Sequence, residues 1–263
     1  MSNFRLYWKM MGVSIRTQMA YRVNFLLSML TNCLSSVIML VGMALLFDRF
    51  HAIAGWQFEQ VLVFYGMAHI ALSSCEMVLR GFDVFDRHVN TGEFDRILLR
   101  PRGTFFQVLS SECQLMRFGR LLQGAAAIAY GLFVLQPGWG APQWLLFFAS
   151  LLGGMALFGG ITIIRAVVCF WTVESLEVFE VVLNGGVEAA QYPMDVYSGA
   201  LRKFFTYVVP MAAINYWPLC ALFGKQAVPP ALSYASPLFG FAFFGVSALL
   251  WRFGVSRYQS TGN

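Results

Sequence analysis

The chain alternates long apolar windows with short charged stretches, and the windows have the length of membrane-crossing helices. Residues 23–47 carry no charge over 25 positions, and Asp48, Arg49 and His51 close the run. As a helix this run rises about 37 Å, more than a hydrocarbon core of about 30 Å requires. Residues 61–79 form a second run, interrupted only by Glu76 near its end. Residues 121–164 hold no charge over 44 positions, but their middle, Gln136-Pro137-Gly138-Trp139-Gly140-Ala141-Pro142-Gln143, is dense in turn formers. That window reads as two spans joined by a short loop. A last apolar run ends at Trp251-Arg252.

The stretch before that last run is less uniform. Residues 170–192 are rich in Val, Leu and Phe yet hold Glu174, Glu177, Glu180 and Glu188. They read as a fifth span whose carboxylates face protein rather than lipid. Residues 204–224 are uncharged, but Pro210 and Pro218 interrupt them. Two interior prolines favour a pair of half-helices, a re-entrant hairpin over 201–223, over a straight span. The expected fold is therefore all-α and integral to a membrane, a single transmembrane domain over 1–263 with spans at about 23–47, 59–79, 119–135, 143–166, 170–192 and 230–251.

Composition agrees. Hydrophobic residues make up 58% of the chain and charged residues only 12%, against about 25% charged in soluble domains. This excludes a disordered chain, a soluble globular enzyme and a disulfide scaffold. The net charge of +5 is no nucleic-acid signal, because no basic polar domain gathers it. It sets orientation instead. With the N-terminus inside and six spans, 14 of the 18 Lys and Arg fall on the cytoplasmic side, leaving Arg49, Arg202, Lys203 and Lys225 outside. Both termini are then cytoplasmic.

Three polar segments stand out. In residues 2–22, Phe4, Tyr7, Trp8, Met11 and Ile15 follow one helical stripe, with Arg5, Lys9 and Arg16 on a neighbouring one. This reads as an elbow helix along the inner leaflet, or more plainly as a topology anchor. The charges are spread through the stretch, so no cleavable leader is expected. Residues 80–103 alternate Phe82, Phe85, Val89, Phe94, Ile97 and Leu98 with charges of both signs. Asn90-Thr91-Gly92 supplies a turn, and Pro101 stops the helical stretch that follows. A helix exposed to cytosol with such an apolar set would need a groove on a partner; the bland alternative is a solvated loop. Glu174, Glu177 and Glu180, at i, i+3 and i+6, share a broad helical face. They could line a polar route or relay protons, or be wet at the interface and pair with Arg165. His69 reads as a hydrogen-bonded helix–helix contact. Cys33, Cys75, Cys113, Cys169 and Cys220 read as small buried hydrophobes.

No phosphate-cradling G-x-x-x-x-G-K-[ST], H-E-x-x-H or G-x-S-x-G occurs, and His51, His69 and His88 have no ligand spacing to cysteine. No metal site and no enzymatic chemistry are expected in this chain. Energy would come from a partner or an ion gradient.

Two segments carry a resemblance. Gly92-Glu93-Phe94-Asp95-Arg96-Ile97-Leu98-Leu99-Arg100-Pro101 resembles the G-x-(L/F)-D-x-x-L-x-(R/K)-P stretch of ABC transporter permeases of the type 2 exporter superfamily. Tyr192-Pro193-Met194-Asp195-Val196-Tyr197, with Val209-Pro210, Ile214-Asn215-Tyr216 and Trp217-Pro218, resembles the region before their last span. The resemblance implies a six-span exporter permease in a bacterial inner membrane, forming a homo- or heterodimer on two copies of a separate ATP-binding subunit that holds ATP and Mg2+. It implies that residues near 83–100 form a coupling helix, with Phe85, Asp86, Arg87, Glu93, Phe94, Asp95, Arg96, Leu98, Arg100 and Pro101 facing the ATPase. Replacing Phe94 would then weaken ATPase binding and leave the spans intact. The 201–223 hairpin would cap the outer end, and an aromatic, weakly charged interior would suit a lipophilic or amphipathic solute. The alternative function is a proton-coupled secondary transporter using Glu174, Glu177 and Glu180 with Glu76. That reading wants an inverted repeat, and the Pro-broken segment at 204–224 has no counterpart near 60–80. A scaffold without transport is the third class.

Overall fold

The computed structural model describes residues 7, 9–13, 16, 17, 22–172 and 177–259. Among these residues the fold is helical, with no strand beyond an isolated bridge between Ile53 and Trp56. The elbow expected over 2–22 falls largely outside the described residues, and those described within it are helical.

Helix α1 (Arg22–Phe50) lies at the edge, with Leu26, Leu30, Leu34, Val41 and Leu45 exposed. Apolar side chains displayed along a helix of this length suit lipid or another membrane helix, not water. Helix α2 (Phe58–Val78) is its opposite, buried on nearly every face. Its start is fixed by a reciprocal capping arrangement between Gln57 and Gln60, which satisfies backbone donors that the first turn leaves open. Four short helices follow: α3 (Arg80–Asp83), α4 (Phe85–Asn90), α5 (Glu93–Leu98) and α6 (Thr104–Leu109). The turn predicted at Asn90-Thr91-Gly92 separates α4 from α5, with Gly92 at φ 67°. A single 3-10 turn (Leu115–Arg117) leads into α7 (Phe118–Leu135), and α8 (Ala141–Thr172) runs for 32 residues.

Helix α8 departs from the expected span at 143–166. Arg165 does not end it, because the guanidinium is held by carboxylates of neighbouring segments, and the helix continues to Thr172. The expected fifth span at 170–192 is correspondingly different. Residues 170–172 belong to α8, residues 173–176 lie outside the described set, and α9 (Glu177–Ala190) has 14 residues. At 1.5 Å per residue that is about 21 Å. The chain still travels the length of α2. Glu180 meets Arg165 near Asp83, just beyond the end of α2, whereas Asp195 accepts a hydrogen bond from Trp56, just before its start.

Next come α10 (Gly199–Lys203) and a π-helical turn (Phe204–Val208), then a break at Pro210. A second π-helical turn (Ala212–Tyr216) leads into α11 (Trp217–Leu222). The halves meet at 84°. Pro210 makes the bend, since it offers no N–H and cannot follow a helical residue without a clash. Pro218 breaks nothing, because it sits in the first turn of α11, where no donor is missed. Both ends of the bent pair lie at the Trp56 end. Arg202 is 3.5 Å from Asp195, and Lys225 donates to the Gly55 carbonyl at 2.6 Å. The bend points inward, with Met211 fully buried against Gly186 of α9.

Helices α12 (Pro230–Ala235) and α13 (Pro237–Arg257) complete the chain. Helix α13 packs along α8, and α7 and α8 flank α2. The α8–α13 approach depends on glycine: a Cβ on Gly240 would lie 2.0 Å from the Gly153 carbonyl oxygen. Small residues let membrane helices come this close, where dispersion replaces the missing hydrophobic drive. Among the described residues, five helices are long and apolar enough to cross a membrane, six if the bent pair counts as one. The fold is all-α and integral to a membrane, with several spans.

Candidate functional site

The polar segment between α2 and α7 is the most elaborate local structure in the chain. Its apolar residues do not await a partner. Phe82, Phe85 and Phe94 are 0% exposed, and Val89 and Ile97 are buried with them. They enclose Trp251 of α13: its ring lies 4.9 Å from those of Phe82 and Phe85, and 5.3 Å from Phe170 of α8. Phe85 and Phe94 meet edge to face at 5.0 Å, and Phe94 meets Tyr258 at 4.9 Å. Such contacts contribute about 0.5–1.5 kcal/mol each beyond area burial. Trp251 Nε1 donates to Thr104 Oγ1 at 3.3 Å, so α6 is held as well. Gly81 allows this packing, since a Cβ there would sit 1.9 Å from the Val108 carbonyl oxygen.

The chain's own helices thus cover the apolar set that the sequence reading expected to need a groove on a partner. Of the predicted coupling residues, Phe85 and Phe94 are buried, and Asp86 and Asp95 are half-buried. Arg87, Glu93, Arg96, Leu98, Arg100 and Pro101 are exposed. Leu99, which the pattern did not single out, is 88% exposed and is the most projecting apolar side chain of the segment. An amphipathic short helix has two faces, and sequence spacing cannot say which of them meets the chain's own spans.

Ion pairs fix the segment from below. Arg165 Nη1 donates to Asp83 Oδ1 at 2.6 Å and to Glu180 Oε1 at 2.5 Å. Arg80 pairs with Asp83 one turn away. Glu76, at the end of α2, lies 3.1 Å from Arg117 and 3.6 Å from Arg120. Gln107 Nε2 donates to the carbonyls of Ile97 at 3.0 Å and Arg102 at 2.9 Å, closing the loop around Pro101. His88 Nδ1 is 2.8 Å from Glu93 Oε2. The carboxylate row is thereby split. Glu174 lies outside the described residues, Glu177 is exposed, and Glu180 is bound to Arg165 with Asn184 donating to its other oxygen at 3.1 Å.

At the other end of α2, Asp195 gathers what the sequence showed only as part of a motif. Tyr216 OH donates to it at 2.8 Å, Trp56 Nε1 at 3.1 Å, and Lys225 stands 3.6 Å above the Trp56 ring. Burial holds the Lys225 ammonium below its ordinary pKa. Midway, His69 Nε2 is 3.2 Å from Gln191 Oε1, and Asn215 Nδ2 donates to the Ala190 carbonyl at 2.6 Å. His69 is thus the helix–helix contact its position predicted. The four described cysteine side chains are buried thiols, and burial pushes Cys113 above its ordinary pKa. Among the described residues no cluster of three or more His, Cys, Asp or Glu is placed to hold a metal ion.

A family model described as ABC-2 family transporter protein matches residues 33–262. No curated protein and no solved structure matches the chain.

Proposed function

This chain belongs to the ABC-2 transporter family, and from that premise we propose that it is the permease subunit of an ATP-driven exporter. Permeases of this family are the membrane component of a transporter and work with ABC ATP-binding partners. Here the partner would be a separate subunit in two copies, carrying ATP and Mg2+, beneath two permeases as a homo- or heterodimer. The charge bias favours a cytoplasmic Asp83 end and cytoplasmic termini, in a bacterial inner membrane.

One observation carries the reading: a rigid-rooted segment with an unburied rim. Leu98, Leu99, Arg100 and Pro101 project from α5 and its end, while Phe85 and Phe94 anchor the same segment to α8 and α13. Close-packed side chains transmit displacement rather than absorb it. A push on the rim by a closing ATPase pair therefore reaches α8 and α13 through Phe170 and Trp251, and α9 through Arg165. The partner's nucleotide state then biases which arrangement of the spans is favoured. The bent pair at 201–223 dips in and returns to the Trp56 end, and we read it as a re-entrant cap on the outward side. The weakly charged interior suits a lipophilic or amphipathic solute.

A proton relay through the glutamate row is less well supported, since Glu180 is committed to Arg165. The test is co-purification with a candidate ATP-binding subunit, then ATP-dependent solute movement in proteoliposomes. Association abolished by Leu98→Asp with Leu99→Asp is the expected result. Full transport without any ATP-binding subunit would overturn the reading.

A further inference from the structure

Between the rim of the polar segment and the N-terminal helical stretch lies a cavity of about 210 Å³. Met10, His88, Glu93, Arg96, Arg100 and Gln107 line it. Among the described residues, neither guanidinium has an ion pair or a side-chain hydrogen bond. Two cations this close in sequence repel one another when nothing offsets them. The floor is buried and incompletely satisfied. His88 is 5% and Gln107 8% exposed, and His88 Nε2 and Gln107 Oε1 are buried polar atoms without partners among the described residues.

The orientation of these groups limits what could satisfy them. His88 Nδ1 lies 2.8 Å from Glu93 Oε2, which fixes the ring and leaves Nε2 open among the described residues. Both hydrogens of the Gln107 amide are spent on the Ile97 and Arg102 carbonyls, so its oxygen can only accept. The two guanidiniums call for an anion, and the Gln107 oxygen calls for a hydroxyl on it. A bare carboxylate meets the first demand and not the second. A hydrogen phosphate or a glycerol phosphate meets both, and guanidinium pairs match phosphate oxygens in geometry.

We propose that this cavity binds a hydroxyl-bearing phosphate group. Arg96 and Arg100 hold its oxygens, and Gln107 Oε1 accepts from its hydroxyl, with His88 Nε2 beside it on the buried floor. Two sources share this chemistry: an anionic glycerophospholipid headgroup and free phosphate. Met10 sets the cavity beside the N-terminal stretch, whose cations and aromatics suit headgroup depth. The site belongs to the permease alone and does not rest on ATPase docking.

The full chain, purified without any ATPase, tests this. One arm reconstitutes it in nanodiscs of phosphatidylcholine with and without phosphatidylglycerol and counts retained lipid by native mass spectrometry. The other titrates inorganic phosphate, with sulfate as control, into phosphatidylcholine nanodiscs and follows binding by calorimetry. Arg96→Gln with Arg100→Gln, both exposed and unpaired, is expected to weaken binding by about tenfold or more. Arg96→Lys with Arg100→Lys, which keeps the charge, should recover part of it. Retention of phosphatidylglycerol assigns a lipid, and a phosphate response without such retention assigns the free ion. Equal binding by the wild type and the Gln pair, or no binding in either arm, overturns the proposal. Sulfate binding as tightly as phosphate overturns the role given to Gln107. Involvement of Arg96 and Arg100 only in contacts with an added ATPase would overturn the site itself.

Discussion

Arg165, deep in α8, donates to Asp83 at 2.6 Å across 82 positions of sequence. The same guanidinium nitrogen reaches Glu180. One side chain therefore ties the polar segment to two helices, and it lies where the helix would otherwise carry an uncompensated charge.

Arg165→Met should leave Asp83 with only the half-buried Arg80 as its cation and cost about 1.5–3 kcal/mol, the usual range for hydrogen bonds to charged groups. Arg165→Lys should cost less, since charge is kept while the two-way reach is lost. Thermal unfolding in detergent, read against wild type, orders the two. Stability unchanged in the Met variant would show that Arg80 alone compensates Asp83.

Phe94→Ala and Leu99→Ala should separate root from rim. Phe94 has no exposed surface, so its truncation leaves a cavity and costs about 3–5 kcal/mol. Leu99 is 88% exposed, and its loss should change stability by less than about 0.5 kcal/mol while weakening ATPase co-purification. Size-exclusion melting curves and pull-downs on both variants check the pair. A Phe94→Ala protein as stable as wild type would undo the aromatic cluster's structural role.

Gly240→Val should force α13 away from α8, because even a Cβ would stand 2.0 Å from the Gly153 carbonyl oxygen. The expected loss is about 1–3 kcal/mol, as for other overpacked contacts. Gly245→Val is the control, since a Cβ there meets nothing within 4 Å. Equal melting temperatures for the two variants would contradict the close helix approach.

Asp195→Ala should loosen the bent pair. It removes the acceptor for Tyr216 and Trp56 and the counter-charge of Arg202. Amide hydrogen exchange over 199–222 should quicken by about tenfold, corresponding to the loss of one net hydrogen bond or more. Exchange that stays at the wild-type rate would place the hold on the bend elsewhere.

Much of this fold is legible in the chain. Charge-free windows locate α1, α2 and α7 to within a few residues, and Asn90-Thr91-Gly92 marks a real turn. Pro210 marks the real bend. The misreadings share a cause. Arg165 reads as the end of a span because its carboxylate partners lie 82 and 15 positions away. Phe85 and Phe94 read as unpartnered because Phe170, Trp251 and Tyr258 arrive from distant helices. Periodicity identifies an apolar face, but what covers that face is a tertiary fact. Asp195 is visible only within a motif, since one acid among aromatics gives no sign that two donors and a cation converge on it.

Helix α8 has 32 residues, about 48 Å at 1.5 Å per residue, against a hydrocarbon thickness of about 30 Å. It must tilt or stand proud of the bilayer, and the end bearing Phe170 is the one gripped by the aromatic cluster. A rod of that length swung through only about 5° moves its far tip by about 4 Å. In the permease proposed above, that overhang would serve as a lever arm, turning small nudges at the gripped end into solvent-scale openings at the opposite mouth.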